Sequence, residues 1–192
     1  MPKRNYQQPK SDNLWMEGLK TVGLSLFLAF GIRAGVAQSF FIPSGSMEPT
    51  LQVDDRLMVD KLSYRFQTPQ RGDIVVFQPP AAAISACGLS PDSRDSFIKR
   101  VVGLPGEKVE VKAGQVYIND RPLAENYIAS KPDYERQAQI IPANSYLVLG
   151  DNRNNSCDGH EWGFLKRDRI IGKAIVRFYP FDRINIFSHA RS

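Results

Sequence analysis

The sequence is poor in the residues from which metal centres and disulfide scaffolds are built. It contains two cysteines, Cys87 and Cys157, and two histidines, His160 and His189. The cysteines are far apart and form no CxxC pair, which excludes a disulfide-rich scaffold and a zinc site of the usual spacing. They can form one bridge or remain two free thiols. Two histidines are too few for a multi-histidine metal site, so we expect none.

The chain also lacks a dense basic run beyond its first ten residues. Its 25 Lys and Arg are spread among 20 Asp and Glu, which leaves a net charge of +5. Proteins that bind nucleic acids usually cluster their basic residues on one face or along one helix. We therefore expect no nucleic-acid partner.

One long stretch near the N-terminus is almost free of charge. From Thr21 to Met47 it carries only Arg33. A helix that crosses the hydrocarbon core needs about 20 mostly apolar residues, and Lys20 and Arg33 could extend toward opposite headgroup regions. This predicts a cytoplasmic tail over residues 1–18, and one transmembrane helix with its membrane-proximal segment over residues 19–41.

A cleavable signal peptide is the alternative for the same stretch. Such a signal peptide would consist of the basic N-terminal region "KRNYQQPK", the apolar core "VGLSLFLAFGI" and a cleavage site formed by the small residues "GVA" before Gln38. Under either interpretation the early positive charges, Lys3, Arg4 and Lys10, favour a cytoplasmic N-terminus. The body of the chain is then expected on the extracytoplasmic side of a cell membrane.

Beyond residue 42 the pattern is typical of an all-β domain. Short apolar or alternating runs, such as "GDIVVFQPP" and "SYLVLGDN", are separated by turn residues, and no amphipathic helix of convincing length occurs. We predict an antiparallel barrel-like or sandwich-like domain over residues 42–192. Residues 78–96 and 126–142 interrupt the pattern and are predicted to be loops or insertions.

Two serines lie in the turn "PSGSMEPT". Gly45 and Pro49 favour a tight, exposed turn around Ser46, which makes it a candidate nucleophile, although such residues are common in ordinary turns. A Ser46, His160, Asp158 triad is one way to activate it. It is unattractive because residues two apart in a strand point the same way without touching, and a triad needs the carboxylate on the imidazole.

A lysine is the alternative base. Lys99 stands in "SFIKRVVGL", so in a strand its face is shared by Phe97 and Val101. Burial can lower the pKa of a lysine by up to about 3–5 units, which makes the neutral amine available as a base. The competing interpretation is that Lys99 and Arg100 are a solvated pair at a strand edge.

Four segments of the chain, in order, resemble the sequence boxes of the bacterial type I signal peptidases, or leader peptidases. They are "PSGSMEPTL" (43–51), "RGDIVVF" (71–77), "FIKRVVGLPGE" (97–107) and "GDNRNNSCD" (150–158), the last followed by Trp162 and Gly163. Many members have Ser-Arg after the aspartate, whereas this chain has Gly159 and His160. That variation resembles the cyanobacterial and thylakoid branch.

The resemblance implies a membrane-anchored serine endopeptidase that removes signal peptides from exported preproteins after small residues, in an Ala-X-Ala pattern. Ser46 would be the nucleophile and Lys99 its general base. The Ser44 hydroxyl and the Ser46 backbone N–H would form the oxyanion hole. Ser156 would bond and orient the lysine, and Asp158 would support that region. This mechanism requires no metal and no organic cofactor.

The implied partners are the signal peptides of preproteins and membrane lipid, in a plasma or thylakoid membrane. An apolar rim of Phe40, Phe41, Ile42 and Met47 would rest on the bilayer. Arg153 and Asp158 could instead form a structural ion pair. The rival hypotheses are a non-catalytic, membrane-tethered β domain that binds envelope proteins, a Ser-His-Asp hydrolase, and an autoproteolytic repressor-like protein, which the lack of a helix-turn-helix pattern disfavours.

Overall fold

The structure is a computed structural model that describes residues 12–93 and 95–187. Most of the predicted cytoplasmic tail and His189 lie outside this range. The chain divides after Val36 into two compact units. In the first unit, the described residues form the helix α1 (Asp12–Val36), which covers most of the predicted membrane segment. Among the described residues, no helix combines the length and the apolar character that crossing a membrane requires.

The second unit consists mainly of β-strands. Its described residues form the following strands: β1 (Ala37–Phe41), β2 (Arg56–Asp60), β3 (Ile74–Phe77), β4 (Phe97–Gly103), β5 (Lys108–Lys112), β6 (Gln115–Ile118), β7 (Arg121–Pro122), β8 (Arg136–Ile140), β9 (Ser145–Leu149), β10 (Leu165–Lys166), β11 (Ile170–Tyr179) and β12 (Asn185–Ile186). Short helices connect some of them: α2 (Ser63–Phe66), α3 (Ala81–Ala86) and α4 (Gly159–Trp162).

These strands form two antiparallel sheets. The larger has the order β1-β2-β11-β3-β4-β9-β10, with β12 added on β11, and the smaller has the order β7-β6-β5-β8. Each strand pair in both sheets is antiparallel. The prediction of a mostly β, antiparallel body is therefore confirmed.

The apolar core determines which residues of the early turn face inward. Ile42 and Met47 are almost fully buried, where they pack with Leu57 and Val59 of β2. The predicted bilayer rim is therefore wrong for Ile42 and Met47. Their side chains are needed to fill the space beneath the larger sheet, and burying them removes apolar surface from water.

The β unit begins at Ala37, five residues before the predicted boundary at 42. Residues Ala37–Phe41 form β1, which pairs with β2 from Ala37 opposite Asp60 to Phe41 opposite Arg56. This short edge strand is largely exposed and mixes polar with aromatic residues, so its sequence lacks a clear alternation.

Both predicted insertions contain regular structure. Helix α3 lies within residues 78–96, and β8 lies within residues 126–142, where it pairs with β5. β8 is mostly exposed, which explains its polar sequence. The two cysteines form a disulfide, Cys87–Cys157. It connects the end of α3 to the loop that follows β9.

Candidate active site

Ser46 lies in a turn that buried residues hold on one side. The 3₁₀ turn Gly45–Met47 follows β1, and the Leu51 N–H donates to the Met47 carbonyl over 2.9 Å. Met47 and Leu51 are both fully buried in the core. Because these anchors are packed, the turn has one orientation, and it presents the Ser46 side chain toward β4.

Lys99 lies in the middle of β4, opposite Val75 of β3. Its side chain is buried, and its Nζ lies 5.6 Å from the centre of the Phe97 ring. Phe97 and Val101, on the same face of the strand, both belong to an apolar cluster. The predicted burial of Lys99 is confirmed, and the solvated Lys99–Arg100 pair is wrong because Arg100 is buried as well.

The nitrogen of Lys99 lies 2.7 Å from the hydroxyl oxygen of Ser46. Burial lowers the pKa of Lys99 to about 8, while the carboxylates of Asp158 and Asp151 act in the opposite direction. A useful fraction of the amine is therefore neutral near neutral pH. At this distance a neutral amine can accept the serine proton as Oγ attacks a carbonyl carbon.

The other two serines expected at the site, Ser44 and Ser156, make weak or no hydrogen bonds to Ser46 and Lys99. Ser44 is exposed, and its Oγ lies 3.5 Å from Ser46 Oγ, at the outer limit for a hydrogen bond. Ser156 is buried next to Gly150, and its hydroxyl makes no hydrogen bond within the described residues. The Ser156–Lys99 bond that the resemblance implies is therefore not formed in this structure.

Asp158 is a fully buried carboxylate that organises the loop behind the lysine. Its Oδ2 accepts from the Gly150 N–H over 2.7 Å, and its Oδ1 accepts from the His160 N–H over 3.0 Å. The His160 ring also contacts this carboxylate, with Nδ1 2.9 Å from Oδ1, and stacks on Tyr134 at 4.0 Å between ring centres.

The contact between Asp158 and His160 corrects the expectation that residues two apart cannot touch here. That expectation assumed a strand, whereas Asp158 is the N-cap of α4 and the chain turns around its carboxylate. The triad is nevertheless not assembled. Within the described residues, the hydrogen-bond partners of the Ser46 hydroxyl are Lys99 and Ser44.

The expected Arg153–Asp158 ion pair is wrong. Arg153 instead donates two hydrogen bonds to the carboxylate of Glu125, over 2.5 and 2.7 Å, and both side chains are almost completely buried. Tyr127 donates a further bond to the same carboxylate over 2.7 Å. This pair attaches the loop after β9 to the segment that follows β7.

A second buried ion pair fixes the strand that carries the lysine. Arg100 donates to both carboxylate oxygens of Asp151, over 2.8 and 2.6 Å, and to the Gly72 carbonyl over 2.9 Å. Two-pronged arginine–carboxylate pairs are geometrically specific. The pair therefore sets the position of β4, and of Lys99 beside it, relative to the loop after β9.

Asn152 connects that loop to the nucleophile turn. Its N–H donates to the Ser46 carbonyl and its side-chain amide donates to the Gly45 carbonyl, each over 3.1 Å. The sequence pattern assigned no role to Asn152, and this contact was missed. Its place three residues after a fully buried strand was the available indication.

A cleft of about 680 Å³ opens above the serine and the lysine. The residues that line it are Phe40, Phe41, Pro43, Ser44, Gly45, Ser46, Leu89, Asp95, Ser96, Phe97, Ile98, Lys99, Asn155 and Cys157. In the part of the chain that the structure describes, no group of side chains suited to hold a metal ion occurs.

Two strand edges face this cleft. β1 is the terminal strand of the larger sheet, and its partner among the described strands is β2. In β4, residues Phe97–Lys99 pair with β3, whereas the pairing with β9 starts only at Arg100. One backbone edge of Phe97–Lys99 therefore lacks a strand partner among the described residues, and an extended peptide could pair with it.

The chain was compared with known proteins. The family model described as "Signal peptidase, peptidase S26" matches residues 15–179. A signal peptidase I of Leptolyngbya laminosa is 56% identical over 92% of this chain and 86% of its own, and a probable signal peptidase I-2 of Synechocystis sp. is 49% identical over 92% and 79%. Thylakoidal processing peptidase 1 of Arabidopsis thaliana is 36% identical over 88% of this chain and 50% of its own.

Among solved structures, a signal peptidase I of Enterococcus faecalis is 30% identical, with a TM-score of 0.45, over 56% of this chain and 97% of the other. The family match extends over most of the chain and includes the turn with Ser46, the β4 strand with Lys99 and the loop with Asp158. The chain therefore belongs to the signal peptidase family, peptidase S26, whose members are serine endopeptidases that remove signal peptides from preproteins.

Proposed function

We propose that the protein cleaves signal peptides with Ser46 as nucleophile and Lys99 as general base. The observation that supports this most directly is the 2.7 Å contact between Lys99 Nζ and Ser46 Oγ in a buried site. Lys99 takes the serine proton as Oγ attacks the scissile carbonyl, and later gives a proton to the leaving amine. Water then releases the acyl group from Ser46, with Lys99 again acting as base.

The developing oxyanion is bound by the Ser46 backbone N–H and the Ser44 hydroxyl. The exposed position of Ser44 and its distance from Ser46 Oγ support this role, because its hydroxyl can rotate toward a substrate carbonyl. Losing one such donor typically costs about 100-fold to 1000-fold in rate. Asp158, which accepts from the backbone N–H groups of Gly150 and His160, supports the loop behind the lysine.

The substrate lies extended in the cleft and pairs with the open edges of β1 and β4. Main-chain hydrogen bonds to these edges would provide affinity that does not depend on the substrate's side chains, as in other β-augmentation complexes. Small residues at the first and third positions before the cut would fit against Phe97 and the Ser46 turn, which both line the cleft, and this would give the Ala-X-Ala preference. The N-terminal segment, with a cytoplasmic N-terminus, holds this cleft at a plasma or thylakoid membrane.

The experiment that tests the dyad is cleavage of a model preprotein in detergent. Ser46→Ala and Lys99→Ala should each abolish cleavage, whereas Lys108→Ala, which removes an exposed lysine of the smaller sheet, should leave it unchanged. Circular dichroism checks that each variant is folded. Retained activity in Lys99→Ala together with loss in His160→Ala would refute the lysine base and favour the Ser-His-Asp alternative.

A further inference from the structure

Tyr127 is a partly buried aromatic residue that has no part in the chemistry proposed above. It lies in the segment that connects β7 to β8 of the smaller sheet. Its ring covers the Arg100 guanidinium, whose central carbon is 4.1 Å from the ring centre, and the Arg153 guanidinium lies 6.0 Å from the same centre. The face of an aromatic ring attracts a cation, and more strongly where water is excluded. Tyr127 therefore lies against two buried arginines at once.

The hydroxyl group of Tyr127 holds that ring in place. It donates to the Glu125 carboxylate over 2.7 Å, and the same carboxylate accepts two hydrogen bonds from Arg153. Burial raises the pKa of the Tyr127 hydroxyl above its ordinary value, so the group remains a donor at neutral pH. Because the Glu125 side chain is 4% exposed, this anchor is largely shielded from water.

The two arginines hold consecutive residues of the loop after β9. Arg153 donates through Nε to the Gly150 carbonyl over 3.0 Å, and Arg100 donates to both carboxylate oxygens of Asp151. Asn152, the next residue, donates to the turn that carries the nucleophile. The loop that supports this turn is thus anchored by two guanidinium groups, and one tyrosine ring contacts both of them.

Arg100 is also the chain neighbour of the general base. It follows Lys99 in β4, and its N–H groups are bound by Asp151 and by the Gly72 carbonyl. Since these N–H groups lie in the guanidinium plane, their acceptors surround its edge, whereas the Tyr127 ring covers one of its faces. Without the ring, water would reach that face and compete with Asp151 for the N–H groups.

We propose that Tyr127 is a positioning residue of the serine–lysine dyad. Its ring holds the Arg100 guanidinium against Asp151. The strand that carries Lys99 and the loop that supports Ser46 therefore keep their relative position. A misplacement of about 1 Å at a reacting group can lower a rate about 100-fold, so a small shift of β4 is enough to matter. This inference rests on the proposed peptidase function.

Steady-state cleavage of a soluble peptide tests the role of the ring. Tyr127→Leu removes the ring and should lower kcat about tenfold to 100-fold. KM should change little, because Tyr127 lies outside the residues that line the cleft. Tyr127→Phe keeps the ring face and should restore most of kcat. The matched control is Tyr117→Leu, which removes the aromatic partner of Lys112 on the smaller sheet and should leave kcat unchanged.

An NMR titration of Lys99 tests the same inference without cleavage. The carboxylates of Asp158 and Asp151 both raise the pKa of this amine. In Tyr127→Leu, Asp151 is less completely neutralised and water enters the site. Both changes should raise the midpoint of the titration, on the order of half a pH unit. The full chain, labelled with isotope-enriched lysine, is titrated in detergent, and the Lys99 signal is assigned by its absence in Lys99→Ala.

Two results would overturn the positioning role. One is a folded Tyr127→Leu variant with the kcat and the titration midpoint of the wild type. The other is an equal loss of kcat in Tyr127→Phe and Tyr127→Leu, which would assign the effect to the hydroxyl contact with Glu125 rather than to the ring. If Tyr127→Leu does not fold, Tyr127→Met, which fills the space without a ring, replaces it in both measurements.

The two measurements also separate this inference from the proposed function. A folded wild type that cleaves no peptide and no preprotein would refute the proposed function. The NMR midpoints would still decide whether Tyr127 controls the ionisation of Lys99, because they require no turnover. An unchanged midpoint in Tyr127→Leu, with cleavage by the wild type intact, would refute the inference and leave the peptidase function standing.

Discussion

The Nζ atom of Lys99 is 2.7 Å from the Oγ atom of Ser46, although 53 residues separate them in the chain. Two features of the fold produce this contact. Buried Met47 and Leu51 fix the serine turn, and the Arg100–Asp151 pair fixes the strand that carries the lysine. Lys99 therefore lies among apolar side chains, with its amine already aligned with the Ser46 hydroxyl.

The pH dependence of cleavage should follow the ionisation of Lys99. Since burial lowers the pKa of this amine to about 8, kcat/KM should rise about tenfold per pH unit below that value and level off above it. Steady-state cleavage of a soluble peptide between pH 5 and 10 measures this, with about one unit of tolerance on the midpoint. A midpoint near 6.5, the ordinary value for histidine, would point to His160 instead.

The same shift predicts a pH-dependent effect on stability. The pKa of Lys99 is about 8 in the folded protein and 10.5 in the ordinary unfolded reference. Between these values the unfolded chain binds more protons, so stability rises with pH across this window. Below pH 8 the folded protein carries the full cost of a buried ammonium, on the order of 3 kcal/mol.

Lys99→Met should therefore be more stable than the wild type at pH 6, by roughly 2–3 kcal/mol, although it is inactive. The difference should shrink toward zero above about pH 10, where the lysine is neutral in both states. Urea unfolding in detergent at the two pH values measures the gap. A gap that does not change with pH would show that Lys99 is not buried as an ammonium.

The sequence contained enough information for the local features of the site. Runs such as "SFIKRVVGL" predict a strand, because strand formation depends on near neighbours. They left the burial of Lys99 open against a solvated Lys99–Arg100 pair, because burial depends on the rest of the fold. The partners of charged groups are set by tertiary packing and were not predicted: Arg153 pairs with Glu125 rather than Asp158, and Arg100 pairs with Asp151. β1 and β8 were also missed, since exposed edge strands need no apolar alternation.

The side chain at position 160 should influence the pKa of Lys99 through its contact with the Asp158 carboxylate. The Asp158 carboxylate raises the pKa of Lys99, and the His160 ring lies 2.9 Å from that carboxylate. A permanent cation in His160→Arg should offset the carboxylate and move the midpoint of the pH profile down, on the order of half a unit. His160→Gln, which introduces no charge, should leave the midpoint in place.

A purely structural role for His160 predicts a different pattern. Both variants would then lose kcat by similar factors, with the midpoint of the profile unchanged. Tyr134→Leu is a control for the tuning hypothesis, because it removes the ring stacked on His160 without changing any charge. This variant should lower kcat through the lost packing and leave the midpoint of the pH profile unchanged.

Gly150 should tolerate no side chain. A methyl group there would lie well inside van der Waals distance of the Ser46 carbonyl and the Ser156 hydroxyl. Gly150→Ala should therefore cost about 1–3 kcal/mol of stability and about tenfold or more in kcat, since it displaces the nucleophile turn. Gly103→Ala is the matched control. Its methyl would meet Ile141 and Leu147, in the core against the smaller sheet, so it should lower stability but preserve the kcat of the folded protein.

Breaking the Glu125–Arg153 pair should strongly lower the free energy of unfolding, because both groups are buried. Its side chains are 4% and 0% exposed, so Glu125→Gln leaves a guanidinium without its counter-charge in the interior. Removing one partner of a buried pair typically costs about 3–5 kcal/mol. Asp120→Asn makes the same chemical change in the exposed Lys108–Asp120 pair and should have little effect on stability, because water already solvates both groups. Urea unfolding of both variants at neutral pH measures the contrast, and equal losses would mean that water reaches the Glu125 carboxylate.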